Sequence, residues 1–223
     1  MDDFEKQLKE AEYEWLKMYQ AGPQRVRWDK LPPQVGDYAP DFTRLNSQGK
    51  ETQLSDFWKD GPALILFWRH FGCGCGLDRS ARLINELQDI ERAGAKVIII
   101  GQGEPARSAY YALKYKLGEI PILCDTDFSA YFEYGLLEGK ESQILFDAPT
   151  ELIDRQLQAG KDFAASRKKD ERPLVDNPWL MPGEFVVDQQ GKLRLTYRYN
   201  FCEDFPDARV LLTAIREARL AVE

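Results

Sequence analysis

Two thiols one residue apart, Cys73 and Cys75, stand in the run Phe67-Trp68-Arg69-His70-Phe71-Gly72-Cys73-Gly74-Cys75-Gly76, directly after an apolar stretch and directly before a helical pattern. A cysteine at a helix start meets roughly half a unit of positive charge and unpaired backbone N–H groups, both of which favour thiolate over thiol. The chain's only histidine, His70, lies three residues upstream, with Arg69 before it. The chemistry expected is that of a reactive thiolate, with a second thiol close enough in sequence to pair with it. A Cys-Gly-Cys disulfide closes a small ring, and departures from relaxed geometry make such a bond easier to reduce. Gly74 lowers the backbone cost of that closure. Two other readings use the same residues: His70, Cys73 and Cys75 as three ligands for zinc or copper, or the cysteines as inert helix-start residues.

Something must hold this run in place, and the surrounding pattern says what. Residues 63–68 are an apolar run. Leu77, Ala81, Ile84, Leu87 and Ile90 then recur at helical spacing, and residues 96–100 are apolar again. Strand, helix, strand in this order predicts a right-handed parallel crossover. Pro105 opens another helix, where its missing N–H costs nothing, and residues 121–124 form a third short strand. Residues 185–188, a Gln189-Gln190-Gly191-Lys192 turn and residues 193–199 read as a closing hairpin. A last helix starts at Pro206 with Val210, Leu211, Ala214, Ile215 and Ala218 inward.

At the other end, Phe4, Leu8, Ala11, Trp15 and Met18 make a narrow helical stripe that Gly22-Pro23 ends. Asn46 to Lys50 reads as a hairpin turn between two short strands, and Ser55 as the N-cap of a short helical turn. The domain reading is residues 1–34 as amphipathic helix and connector, and 35–223 as one α/β domain with an insertion at about 137–178. Gly101-Gln102-Gly103 lacks the third glycine of a dinucleotide fingerprint and reads as a tight crossover turn.

Composition narrows the function classes. A formal net charge of -7 repels nucleic acid on average. The longest apolar run, 63–68, is far too short for a membrane span, and the N-terminus carries no secretory pattern. The expectation is a cytoplasmic protein with no nucleic-acid or membrane partner. Four cysteines in 223 residues are too few for a disulfide scaffold, so in a reducing compartment they are expected to be free, catalytic or metal-binding.

Val35-Gly36-Asp37-Tyr38-Ala39-Pro40-Asp41-Phe42, Gly49-Lys50, Leu54-Ser55-Asp56-Phe57 and residues 64–68 resemble the opening of the alkyl hydroperoxide reductase/thiol-specific antioxidant (AhpC/TSA) superfamily. Arg69-His70-Phe71-Gly72-Cys73 is similar to its peroxiredoxin-like branch, and Met181-Pro182-Gly183-Glu184-Phe185-Val186-Val187-Asp188 with Gly191-Lys192 is similar to its closing hairpin. The resemblance covers roughly residues 35–220. It implies a thioredoxin-like mixed sheet flanked by helices, and a thiol-disulfide oxidoreductase or peroxidase needing no cofactor. It further implies a peroxide or disulfide substrate and a thioredoxin- or glutathione-type reductant; a homodimer and a non-catalytic interaction domain are further expectations.

The resemblance also assigns supporting roles. Pro182 matches a proline that precedes its strand with a cis peptide and packs on the cysteines, and Arg198 resembles an arginine placed near the reactive sulfur. Two departures stand out. The Pro-x-x-x-Thr-x-x-Cys loop of peroxiredoxins is absent, so a hydroxyl that helps activate a hydroperoxide is missing, and the cysteines have one residue between them where the branch usually has two. Aligning on the strand puts Cys75 at the nucleophile position, whereas aligning on Arg69-His70-Phe71 puts Cys73 first. If the three strands run parallel, their C-terminal ends share one sheet edge, which predicts that Cys124 and Cys202 approach the motif as resolving thiols.

Overall fold

The run 63–68 becomes the centre of the molecule because it is apolar on both sides. In the computed structural model, which describes residues 3–144, 151, 154 and 176–221, the main sheet has the strands β3 (Ala63–Phe67), β4 (Lys96–Gly101), β5 (Ile122–Cys124), β6 (Gly183–Val187) and β7 (Leu193–Arg198). Their order across the sheet is β5-β4-β3-β6-β7. β3 pairs parallel with β4, β4 parallel with β5, and the hairpin β6–β7 joins antiparallel at β3. All five β3 residues are buried, as expected of a strand with neighbours on both sides and helices on its faces.

Side-chain alternation along the strands divides the core in two. Ile65, Phe67, Ile98, Ile100, Leu123, Phe185 and Val187 pack with Tyr131 and Tyr134 on one face. Leu64, Leu66, Trp68, Ile99, Ile122 and Val186 face the other way, where α2 (Gly74–Arg92), α3 (Pro105–Lys114) and α6 (Ala208–Leu220) lie. Short helices α4 (Ser129–Glu133) and α5 (Glu141–Ile144) and the small hairpin β1 (Thr43–Leu45)–β2 (Glu51–Gln53) complete the described elements. Ser47 N–H donates to Ile122 O and Gly36 N–H to Leu193 O, at 2.9 and 2.8 Å. A loop residue thereby hydrogen-bonds to the first residue of each outer strand.

The N-terminal helix α1 (Asp3–Ala21) meets the rest of the chain through rings: Trp15 stacks on Tyr19 and Tyr19 on Trp179, at 5.4 and 5.1 Å. Trp179 Nε1 donates to Met18 O at 3.0 Å. Gly22, at φ 70°, ends the helix in a conformation that favours glycine.

Several helical details differ from the sequence reading. Ile84 and Val210, expected inward, are 42% and 44% exposed. On α2 Ile90 is buried as expected, but the other buried positions are Gly74, Cys75, Gly76, Arg79, Ser80 and Leu83, with Arg79 drawn inward by a carboxylate under the helix. α6 begins at Ala208, with Asp207 as N-cap accepting from Arg209 N–H, two residues beyond Pro206. Ser55 lies within a 3-10 turn over Leu54–Phe57, and Asp41 accepts its N–H at 2.9 Å. Most of the expected insertion at about 137–178 lies outside the described residues.

Candidate functional site

The loop between β3 and α2 is anchored at its start to the neighbouring strand. Trp68 N–H donates to Ile100 O at 2.9 Å, and the Tyr131 hydroxyl donates to Trp68 O at 2.6 Å. The loop's far end is held by Phe71, whose N–H donates to Asp176 Oδ2 at 2.9 Å. Its ring stacks on Tyr111 at 4.4 Å. A Cβ at Gly101 or Gly103 would come within 2.6 or 2.5 Å of the Phe71 ring, so the crossover turn needs glycine to let this ring in.

Cys73 then takes the N-cap position of α2 at φ -82° and ψ 133°, without a side-chain cap bond. Its sulfur therefore sits at the positive end of the helix dipole. Arg69 supplies the full charge: its buried guanidinium donates from one nitrogen, Nη1, to Cys73 Sγ and to Cys202 Sγ, each at 3.0 Å. Nε of Arg69 donates to Leu180 O at 3.3 Å and Nη2 to Pro178 O. Burial works against the arginine's charge, but the sulfurs of Cys202, Cys73 and Cys75 outweigh it and hold the guanidinium protonated.

The three sulfurs do not share one fate. Burial pushes the Cys73 thiol up, yet hydrogen bonds from Cys202 and Cys75 and the charge of Arg69 pull it well below the ordinary thiol value. Cys75 is pushed well above that value by burial and by its hydrogen bond to Cys73. Cys202 is pushed up by its own hydrogen bond to Cys73 and then by burial. The geometry is that of one guanidinium nitrogen shared by the Cys73 and Cys202 sulfurs at a helix start. Charge-assisted hydrogen bonds of this type are roughly twice as strong as neutral ones.

The remaining candidates are placed less simply. His70 is half-buried. Burial first, then Arg69, lowers its imidazole to about 4, so it is neutral near pH 7 and is not the positive charge beside the thiolate. Among the described residues no group of three or more His, Cys, Asp and Glu is arranged to hold a metal ion; at Cys73 the third partner is a guanidinium where the ligand reading would have the imidazole.

Cys124 lies on β5, opposite Gly101 and two strands from β3. It contacts Ser108 Oγ at 3.3 Å, and burial pushes it up to about 11. It shares the sheet edge and the face of the motif, but the Phe71 ring covers Gly101 and Gly103 beside it, and it does not join the other three cysteines.

Arg198, expected near the reactive sulfur, points to the opposite face. Its Nε donates to Tyr134 O at 2.9 Å and Nη2 to Pro33 O at 2.7 Å, over the Phe185 ring. Tyr197 and Tyr199, on either side of it, take the cysteine face, so strand alternation sends position 198 away. The Met181–Pro182 bond, expected to be cis, is trans. Residue 181 donates its N–H to Leu137 O at 2.9 Å and Pro182 O accepts from Tyr199 N–H at 3.3 Å. These bonds are made with the trans isomer, which X–Pro favours by about 0.5–1 kcal/mol. Pro182 still lines the cavity beside Cys75 and Cys202.

That cavity, of about 20 Å³ for water-sized molecules, is also lined by Arg69, Arg79, Glu184, Tyr199 and Phe205. A void of this size holds about one water. Glu184 accepts from Arg79 Nε and Nη2 at 2.7 and 3.1 Å and from the Tyr199 hydroxyl, while Arg79 Nη1 reaches Glu86 at 2.8 Å. Sequence reasoning missed this network, though a glutamate inside the otherwise apolar run 183–187 was its signal, since a buried carboxylate requires a partner. It also missed Asp176, which pairs with the buried Arg107. Nothing in the charged stretch around it singles Asp176 out.

A family model described as the AhpC/TSA family matches residues 35–196. A thioredoxin-like protein AAED1, chloroplastic, from Arabidopsis thaliana is 26% identical over 156 residues, which are 69% of this chain and 60% of that protein. The peroxiredoxin Bcp of Escherichia coli K12 is 24% identical over 105 residues, 47% of this chain and 66% of the other. The chain thus aligns with less than two thirds of either relative's length. Among solved structures, the peroxidoxin BcpB of Mycobacterium tuberculosis superposes with a TM-score of 0.55 at 18% identity, over 83% of this chain and 97% of the other, a likeness of fold.

Proposed function

Given that the chain belongs to the AhpC/TSA family, in its peroxiredoxin-like branch, we propose that it is a thiol-dependent oxidoreductase whose attacking atom is the Cys73 sulfur. The observation that carries this reading is the buried Arg69 guanidinium 3.0 Å from Cys73 Sγ, at the start of α2. It makes Cys73, rather than Cys75, the thiolate, because Cys75 is held as a thiol by burial and by the charge next to it.

With a hydroperoxide, Cys73 sulfur attacks the terminal oxygen. An S–O bond forms, the O–O bond breaks, and the departing alkoxide or hydroxide takes a proton from solvent. A second thiol then attacks the sulfenic sulfur, forming S–S and releasing water that carries the thiol's proton. With a disulfide substrate the same thiolate displaces one sulfur as thiolate, and the second thiol displaces the other. A thioredoxin- or glutathione-type reductant returns two electrons and two protons to the pair. Four free cysteines suit a reducing compartment, and the cytoplasm is the compartment proposed.

Cys73, Cys75 and Cys202 are 4%, 3% and 4% exposed, which favours a small oxidant over a folded protein. The residues beside Cys73 lack the threonine hydroxyl of the peroxiredoxin loop, so reaction with hydrogen peroxide should be slower than with a low-molecular-weight disulfide. Stopped-flow oxidation by each, followed through tryptophan fluorescence and thiol count, tests both parts. Oxidant consumption that survives Cys73→Ser would overturn the assignment of the nucleophile.

A further inference from the structure

The reading above needs a second thiol, and two candidates, Cys75 and Cys202, share a buried cluster with Cys73. We propose that the thiol that closes the disulfide with Cys73 is Cys202, from the loop after β7, and that Cys75 remains a thiol through the cycle. This deepens the proposed function and rests on Cys73 being its nucleophile.

The first ground is the shared donor. One nitrogen of Arg69 lies 3.0 Å from both sulfurs, so the guanidinium holds Cys73 and Cys202 side by side. It can keep doing so while charge leaves the pair, because its other nitrogens stay on the carbonyls of Leu180 and Pro178.

The second ground is what each sulfur must do to reach bonding distance. A disulfide needs its Cβ atoms about 3.5–4.5 Å apart and a dihedral near 90°. Cys75 belongs to the first turn of α2 and Cys73 is its N-cap in extended backbone, so a bond between them closes a small ring across the helix start. Bringing Cys75 onto Cys73 would therefore unwind that turn and break the bond from Gly76 N–H to Cys73 O, 3.2 Å long. Nor can the turn slide inward: an added Cβ at Gly76 would meet Tyr111 Oη at 2.5 Å and Trp68 Nε1 at 2.9 Å.

Cys202 has no such restraint. It lies outside the helices and strands, in the run 200–205. It is held by its own N–H to Gln143 O at 3.1 Å and by a long S–H bond to Ile144 O at 3.6 Å. Bond formation costs that weak bond and no helical turn. The balance is simple: Cys202 S–H plus Cys73 sulfenic acid become S–S and one water, and Cys202, kept protonated by its surroundings, supplies the hydrogen.

The test is peptide mapping of the full chain after one equivalent of hydrogen peroxide, in the unmutated protein and in Cys202→Ser and Cys75→Ser, with dimedone present to trap sulfenic acid. The unmutated chain and Cys75→Ser should yield a Cys73–Cys202 linked peptide. In Cys202→Ser that link is lost and most of the oxidised chain should carry dimedone on Cys73. A Cys73–Cys75 link in the unmutated chain overturns the proposal while leaving Cys73 as nucleophile. Dimedone on a cysteine other than Cys73, or no oxidation of Cys73 in any of the three proteins, removes the reading beneath it as well. Mapping of the unmutated chain decides the pairing even if a variant folds poorly.

Discussion

Replacing Arg69 by Met tests whether this one side chain sets the chemistry of the site. Methionine keeps an unbranched apolar stem in the buried space but is shorter, donates nothing to Cys73 and carries no charge. A hydrogen bond to a charged group contributes about 1.5–3 kcal/mol, and 1.36 kcal/mol corresponds to a tenfold change in an ionisation equilibrium. Losing the 3.0 Å contact from Nη1 should therefore shift the ionisation equilibrium of Cys73 toward the thiol about ten- to a hundredfold, moving the onset of alkylation to higher pH. The assay is the rate of Cys73 alkylation by a small haloacetamide against pH, resolved by peptide mapping, with near-ultraviolet circular dichroism to show that the fold persists.

The variant also strips donors from the carbonyls of Leu180 and Pro178. A left-over buried acceptor costs about 1–3 kcal/mol, so a loss of stability should accompany the shift in reactivity. Arg69→Lys separates the two effects, since it restores a positive charge without the planar fork that reaches four acceptors at once; it should recover part of the reactivity. An Arg69→Met protein that is folded and alkylates Cys73 with the unmutated pH profile would refute the idea that the guanidinium ionises this sulfur.

His70 should act on stability and not on reactivity. Its folded imidazole is held at about 4, below the ordinary value of about 6.5, so the unfolded chain binds a proton in this window that the folded chain does not. Stability is then full at neutral pH and falls by at most about 3 kcal/mol as pH drops from about 6.5 to 4; His70→Gln should flatten that decline in urea midpoints, with the pH onset of Cys73 alkylation unmoved. Asp176→Asn leaves the buried Arg107 facing a neutral group and weakens the acceptor for Phe71 N–H, and should cost about 3–5 kcal/mol in chemical denaturation. Cys124→Ser, two strands from the cluster, should leave the pattern of oxidised peptides unchanged; a new pairing in that variant would show that Cys124 communicates with the site.

The sequence alone determined the elements and the motif, because both are written in local pattern. A short unbroken apolar run at 63–67 ahead of a helical pattern reads as a strand covered on both faces, and proline at 105 marks a helix start and glycine at 22 a helix end through their backbone preferences. The same locality put the proposed nucleophile at the start of α2, where the backbone itself supplies positive charge. What the chain order could not decide is which side chains meet across it. Arg69 and His70 are adjacent in sequence and equally plausible beside a thiolate, yet only Arg69 reaches it, held there by carbonyls more than a hundred residues away. Arg198 differs from Tyr197 and Tyr199 only by the parity of a strand, and that parity turns it to the other face of the sheet. Cys202 and Cys124 looked alike as distant thiols. The tertiary structure separates them, because one follows β7 onto the same guanidinium as Cys73 while the other stays behind the ring of Phe71 against Ser108.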